Sequence, residues 1–444
     1  MSSPAPDAHE LQNIPPAAEE PHALVQQKWN DPPINKWRVA ATFITFSLVG
    51  ASDGVYGVLV PPIRENFNLS NTVVSLLFMT PFFGYTIATI IVSKISMSLG
   101  QRGIAIIGSL CHLISFIVMA VHPPHFAAYL VFYIFVGLGN GLLDAAWNAW
   151  ISDMANANAL MGLLHAFYGL GATLSPTVAT NMIGAGLGWW NFYWTLVGAA
   201  TLELACASLF WTEDAQQFRI KNPKSSSSGK SRTSEAVSNK VTWMIALFLF
   251  VYMGVEVSIG GWIVDFMIHE RSGSQGTSGY VATGFWAGVT VGRLALGLVN
   301  EWLGAFQSYT SLLAVGNANK ATRIGERLAI SFYLVISVGI QLIFWLVPSF
   351  VLSAVMVALL GFFTGPLFPG AIVVGARLLP KHLHTPGIGF ASAFAGGGGS
   401  ILPFVAGAIA GPHGVKTLQP FILALLVAIT VSWMLLPRQK RATA

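Results

Sequence analysis

The chain has 444 residues, 54% of them hydrophobic and only 9% charged, where an ordinary soluble domain carries about 25% charged residues. With 45 Gly, 29 Phe and 14 Trp, this composition excludes a soluble enzyme and points to a polytopic membrane protein, so the usual domain count per length of chain does not apply. The formal net charge of +5 comes from 23 Lys and Arg against 18 Asp and Glu, and where those charges fall matters more than their sum.

In chain order, residues 1–36 are polar and rich in Pro, Ala and Glu, with no apolar run behind a basic start. They read as a disordered cytoplasmic tail and not as a cleaved signal peptide. Twelve apolar stretches follow, each about 20 residues and so long enough to cross a bilayer as a helix. They lie near 37–60, 72–93, 103–121, 126–151, 160–183, 189–211, 242–268, 279–300, 328–347, 350–371, 384–410 and 417–436. The polar segment 212–241, with its run Ser225 to Ser228, reads as a flexible cytoplasmic linker. It divides the chain into six-helix halves at 37–211 and 242–436, and 437–444 forms a short cytoplasmic tail. Between the eighth and ninth spans, 305–325 shows no sustained helical period. Joining Glu301–Gly304 directly to Glu326–Ala329 would restore a short charged turn. The stretch therefore reads as an insertion, either a true cytoplasmic loop or residue of an unspliced intron in the gene model.

The cationic residues set the orientation. With the N-terminus inside, 19 of the Lys and Arg fall on the cytoplasmic side, and only Arg64, Arg271 and Lys416 fall outside. Arg293 alone lies within a span. Both termini are then cytoplasmic. Cys111 and Cys206 sit inside apolar segments without metal-ligand neighbours, so neither a disulfide framework nor a metal site follows.

The two halves repeat each other. His165 to Pro176 in the fifth span aligns with Ser392 to Pro403 in the eleventh at an offset of 227, sharing Ala-Phe, two spaced Gly and the Pro. Gly137 and Gly141 match Gly361 and Gly365 at 224, and Gly50 and Gly57 match Gly254 and Gly261 at 204. A single glycine at helical spacing only lets helices approach. Three collinear matches describe a duplicated bundle, whose repeat interface at mid-membrane can open to either side.

Six plus six helices, a central linker and this repeat resemble the major facilitator superfamily. The segments Gly50-Ala-Ser-Asp53-Gly-Val-Tyr-Gly57, Gly137-Leu-Gly139-Asn-Gly141-Leu-Leu-Asp144-Ala-Ala-Trp147-Asn148, His165 to Pro176 and Tyr252 to Trp262 resemble its fucose:proton symporter-like branch and the fungal members of that branch. The resemblance covers about residues 37–436. The superfamily's acidic loop motif after the second span is reduced here to Gly100-Gln-Arg102-Gly103, so a salt bridge built on that motif is not expected.

Five carboxylates fall within spans: Asp53, Asp144, Glu203, Glu256 and Asp265. Each costs at least about 2.5 kcal/mol at a bilayer centre, and Arg293 is the one cation within a span to pair with them. A carboxylate lacking a cation in low dielectric can hold a proton near neutral pH, which is the chemistry of proton-coupled transport. Asp53 shares a helix face with Val49 and Gly57, and Asp144 with Gly137, Gly141 and Asn148. The resemblance implies that these two, on the first and fourth helices, carry the proton; a helix-capping role is the structural alternative. Glu256 shares a face with Tyr252 and Gly260 and reads as a cavity residue of the second half. Asp265, near the outer surface, reads as snorkelling. Glu203, on a peripheral helix, reads as interhelical or lipid-side pairing, and His112 as packing.

Asn148, His165, Glu256, Tyr252, Trp147 and Trp262 are the candidates for solute contact. Amides and imidazoles offer donors and acceptors to hydroxyls, and flat rings can lie against a sugar. His165 can also titrate near neutrality. Gly137-Leu-Gly139-Asn-Gly141 lies in an apolar helix without a preceding strand or a Lys-Ser/Thr pair, which removes the nucleotide reading. The C-terminal Arg438-Gln-Lys440-Arg441 suits anionic lipid better than nucleic acid. The sequence therefore predicts an all-α membrane protein, not an enzyme, using a proton gradient and no cofactor. Its partners would be a small polar, sugar-like solute, protons and the bilayer, and it would work as a monomer, in the plasma membrane first among membranes. A proton-antiport exporter of a fungal metabolite and a non-transporting nutrient sensor are the alternatives, though the short linker leaves the sensor little to signal with.

Overall fold

The computed structural model describes residues 27–437 apart from 156, 222–228, 314–317 and 381–382. The expected tail 1–36 falls outside these residues up to 26, as do the C-terminal tail from 438 and the middle of the linker. Among the described residues the chain is helical and has no strand. Eight helices are long and apolar enough to cross a bilayer, nine with one bent pair. That pair, Asn35–Gly54 and Tyr56–Asn66, meets at 48° and forms the first span. The helix Asn71–Ala120 turns at Gly100, whose φ of 71° favours glycine, and so supplies the second and third spans. The tenth span breaks in the same way, between Phe350–Thr364 and Leu367–Leu378, where Pro366 cannot donate to the helix ladder. With Ala157–Gly184 as the fifth span and Gln275–Leu313 as the eighth, the twelve crossings read from the sequence are all accounted for.

Two local expectations are corrected. The backbone of 305–313 and 318–325 is helical, continuing Gln275–Leu313 and leading into Ala318–Leu346. Extending a formed helix adds one bond per residue without a new nucleation cost, so residues that show no apolar period still follow their spans. The linker, read as a flexible cytoplasmic connection, likewise holds two short helices, Ala215–Lys221 and Gly229–Ser238.

The repeat is visible as packing. A Cβ added to Gly171 would run into the Ser47 carbonyl of the first span, and one added to its counterpart Gly398 would meet the Phe250 carbonyl of the seventh. Gly137 lies on the Pro81 carbonyl, and its counterpart Gly361 on that of Phe285. Each half therefore closes the same two helix pairs by the same glycine contacts. We predict that Gly171→Val abolishes folded protein, since the obstacle is backbone that cannot move aside. Gly162→Val, where a Cβ meets nothing within 4 Å, should accumulate normally; gel filtration of the detergent-solubilised chain distinguishes the two.

We refer to the side holding the linker helices as the tail side and the opposite one as the far side. Among the described residues every side-chain hydrogen bond between the halves lies from mid-span to the far side. Thr173 meets Thr290 at 3.3 Å and Thr177 meets Thr283 at 3.0 Å. Nearer the far side, Tyr280 donates to Asn181 at 2.8 Å and Gln275 to the Val58 carbonyl at 3.1 Å. The halves are thus fastened at the far side, and the site described next lies where that fastening ends.

Candidate functional site

Asp53 occupies the last turn of Asn35–Gly54, immediately before the bend. Its Oδ2 accepts a hydrogen bond from the Tyr168 hydroxyl on the fifth span at 3.0 Å. Asp144 is held by its own helix: Asn148 Nδ2 donates to its Oδ1 at 2.8 Å and to its carbonyl at 2.9 Å. Tyr85 lies within electrostatic reach of both carboxylates, and the two carboxylates lie within reach of each other. Among the described residues neither has a cationic partner within ion-pair distance. The two acids differ in their holders: Asp53 is bonded across to the fifth span and Asp144 within its own helix.

The second half holds a different arrangement. Arg293 Nη2 donates to both oxygens of Glu256, at 2.9 and 3.0 Å, and the Tyr252 hydroxyl donates to Glu256 Oε2. The Arg293 Nε points at the Gly365 carbonyl, 3.4 Å away at the break in the tenth span. The Glu256 side chain is 1% exposed and that of Arg293 19%. Glu256 was expected as a solute contact in a cation-poor membrane core; instead the single intramembrane cation neutralises it and covers it. Arg293 also lies within electrostatic reach of His165 and Tyr168 of the first half. His165 is itself exposed, with its ring edge-on to Phe46 at 5.6 Å.

Two of the expected solute contacts are packing residues. Trp147 is 2% exposed and stacks on Trp211 at 4.1 Å within the first half. Trp262 is 1% exposed, lies 5.9 Å from Phe78, and donates its indole N–H to the Pro403 carbonyl at 2.9 Å. An aromatic ring at helical spacing satisfies a close-packed interior as readily as a binding site. Asp265 does not snorkel. It is fully buried, and its Oδ2 receives Arg64 Nη1 at 2.8 Å from the end of the first span. Glu203 and His112 do pair between helices, His112 Nδ1 lying 2.9 Å from Glu203 Oε2, and both are buried.

An apolar cavity of about 490 Å³ lies between the first, fifth and sixth spans, lined by residues such as Phe43, Leu48, Phe167 and Leu196. It has too few polar groups to orient a polar solute. Among the described residues no group of three His, Cys, Asp or Glu is placed to hold a metal. Sequence reasoning named Arg293 as the one cation within a span without identifying its partner, and passed over Tyr168, which stands inside the fifth-span motif. Asp53 and Asp144, without a cation, thus belong to the first half, and the charge-balanced group of Arg293, Glu256 and Tyr252 to the second.

The family model described as Major Facilitator Superfamily matches residues 42–318. The chain is 29% identical over 436 residues to Bypass of stop codon protein 6 of Saccharomyces cerevisiae, covering 91% of this chain and 83% of that one. It is 25% identical over 395 residues to a glucose/galactose transporter of Brucella abortus, covering 84% and 87%. Among solved structures, it superposes with a TM-score of 0.69 and 14% identity on a bacterial homolog of the human lysosomal transporter Spinster, over 91% of this chain and 97% of that one. The E. coli fucose:proton symporter superposes at 0.59 with 15% identity, over 90% and 99%.

Proposed function

The chain belongs to the Major Facilitator Superfamily, and we propose that it is a proton-coupled transporter of a sugar-like solute working by alternating access. The observation that carries this reading is the pair of cation-free carboxylates, Asp53 and Asp144, in the first half, set against the balanced Arg293–Glu256 pair of the second. A carboxylate that cannot share a cation must exchange a proton when its surroundings change from aqueous to closed. Rocking of the two halves supplies that change. Asn148 and His165 carry an amide and an imidazole that could offer donors and acceptors to hydroxyls. The sugar class is supported by the glucose/galactose transporter of Brucella abortus and the fucose:proton symporter, and by a donor group without net charge. In this reading the tail side is cytoplasmic, as the distribution of Lys and Arg indicates.

The test is uptake of radiolabelled D-glucose, D-galactose and L-fucose into proteoliposomes, with and without an imposed pH gradient. We expect at least one of these sugars to accumulate above its outside concentration only when the gradient is present, and a protonophore to abolish that accumulation. Sugar entry indifferent to the gradient would overturn proton coupling, and entry of none of the three would overturn the solute class.

A further inference from the structure

Glu256 and Arg293 form a buried ion pair that only one of its members presents to the space between the halves. Both Glu256 oxygens are occupied, one by Arg293 and the other by Arg293 and Tyr252 together, and at 1% exposure the carboxylate has no surface left for a solute. Arg293 is different. Its Nη2 is spent on Glu256 and its Nε is directed at Gly365, but its Nη1 has no hydrogen bond to any described residue. The side chain is 19% exposed, and His165 and Tyr168 of the other half lie within its electrostatic reach.

We propose that Arg293 is the solute-binding donor of the C-terminal half, and that Glu256 behind it makes the site select neutral polyhydroxy solutes over anionic ones. This rests on the sugar reading above and names how the site reads charge. A lone guanidinium in such a place binds carboxylates and phosphates strongly, in bidentate geometry. Glu256 cancels that charge while leaving the Nη1 hydrogens in place. A hydroxyl oxygen can still accept a strong hydrogen bond from Nη1. A carboxylate gains little net Coulomb energy there and still loses its hydration, which nothing in the site repays. Asp53 and Asp144 across the space penalise an anion further whenever either is ionised. Glu256 is thus a positioning residue: it acts on the solute only through the charge it removes from Arg293.

Binding of D-glucose and D-galactose, and of D-glucuronate and D-galacturonate, to the purified full chain tests this. The wild type is expected to favour the hexoses over the uronates by at least about tenfold, the effect of about 1.4 kcal/mol. Glu256→Gln frees the Arg293 charge, so the hexose-to-uronate ratio should fall by at least about tenfold or invert. The double variant E256Q/R293Q should bind both classes weakly, with no gain for the uronates. An unchanged ratio in E256Q, or the same uronate gain in the double variant, overturns the proposal while leaving the sugar reading intact. A wild type that binds neither class overturns the sugar reading itself. Should E256Q fail to fold, R293Q tests the donor directly: hexose binding should weaken at least about tenfold, and wild-type hexose affinity there would overturn the assignment.

Discussion

Asp144→Asn and Asp53→Asn should each abolish pH-driven accumulation while leaving solute exchange across the membrane in place. An amide has nearly the shape of the protonated acid and can hold the same local contacts. In Asp53→Asn the side-chain carbonyl can still accept from Tyr168, and in Asp144→Asn it can still accept from Asn148. What is lost is the ability to release a proton. With one proton per solute, a gradient of two pH units is worth about 2.7 kcal/mol, or a concentration ratio of about 100. Either variant is expected to bring that ratio down to about 1, while counterflow of preloaded solute remains measurable. Gradient-driven accumulation persisting in both variants would remove these two residues from the proton path. Loss of counterflow together with accumulation would instead make the residue part of the solute site or of the fold.

All five intramembrane carboxylates were legible in the sequence because each is expensive on its own, and only the family resemblance singled out Asp53 and Asp144 among them. The spans and the repeat were legible for similar reasons. Hydrophobic length is a local property, and several of the duplicated glycines mark contacts made within each half, such as Gly171 on Ser47 and Gly398 on Phe250, whereas Gly57 and Gly261 meet the opposite half. What the sequence did not disclose was pairing between helices. Arg293 and Glu256 are 37 residues apart and Arg64 and Asp265 are 201 apart, and no periodicity connects them. Counting cations per span made Glu256 look unpaired, although its partner was the one cation already counted. Trp147 failed for the opposite reason. It stands three residues from Asp144 and so on the same side of the helix, yet it is buried and its indole stacks on Trp211. Sharing a helix face with a functional residue therefore does not by itself make a side chain part of its site, because packing against a neighbouring helix competes for the same ring.

The far-side fastening gives the other large expected effect. Arg64, at the end of the first span, donates to Asp265 of the seventh at 2.8 Å and to Asn71 at 2.6 Å, and Asn71 Nδ2 reaches the Ala410 carbonyl of the eleventh span at 3.4 Å. Asp265 is fully buried, and Arg64 is the cation from the opposite half that compensates it. When the far side opens, water replaces Arg64 around Asp265, so the pair stabilises only the state closed on that side. Arg64→Ala leaves Asp265 buried with His269 of its own helix, Nδ1 3.3 Å from Oδ1, as its remaining neighbour, at a cost of up to about 3–5 kcal/mol to the closed state, equivalent to about 2.2 to 3.7 powers of ten in the equilibrium between closed and open. A cysteine replacing Ser75, which is buried against Gly407 of the other half, reports the change in a background lacking Cys111 and Cys206. With Arg64 intact, a membrane-impermeant maleimide applied to the far side should label that cysteine slowly, and Arg64→Ala should raise the rate by at least about tenfold. Uptake should fall in the same variant, because a carrier held open on one side completes few cycles. Asp265→Asn should shift labelling less, since Arg64 keeps 16% of its side chain exposed and can turn toward water once its partner is gone. Equal labelling with and without Arg64 would show that the glycine and threonine contacts between the halves close the far side unaided.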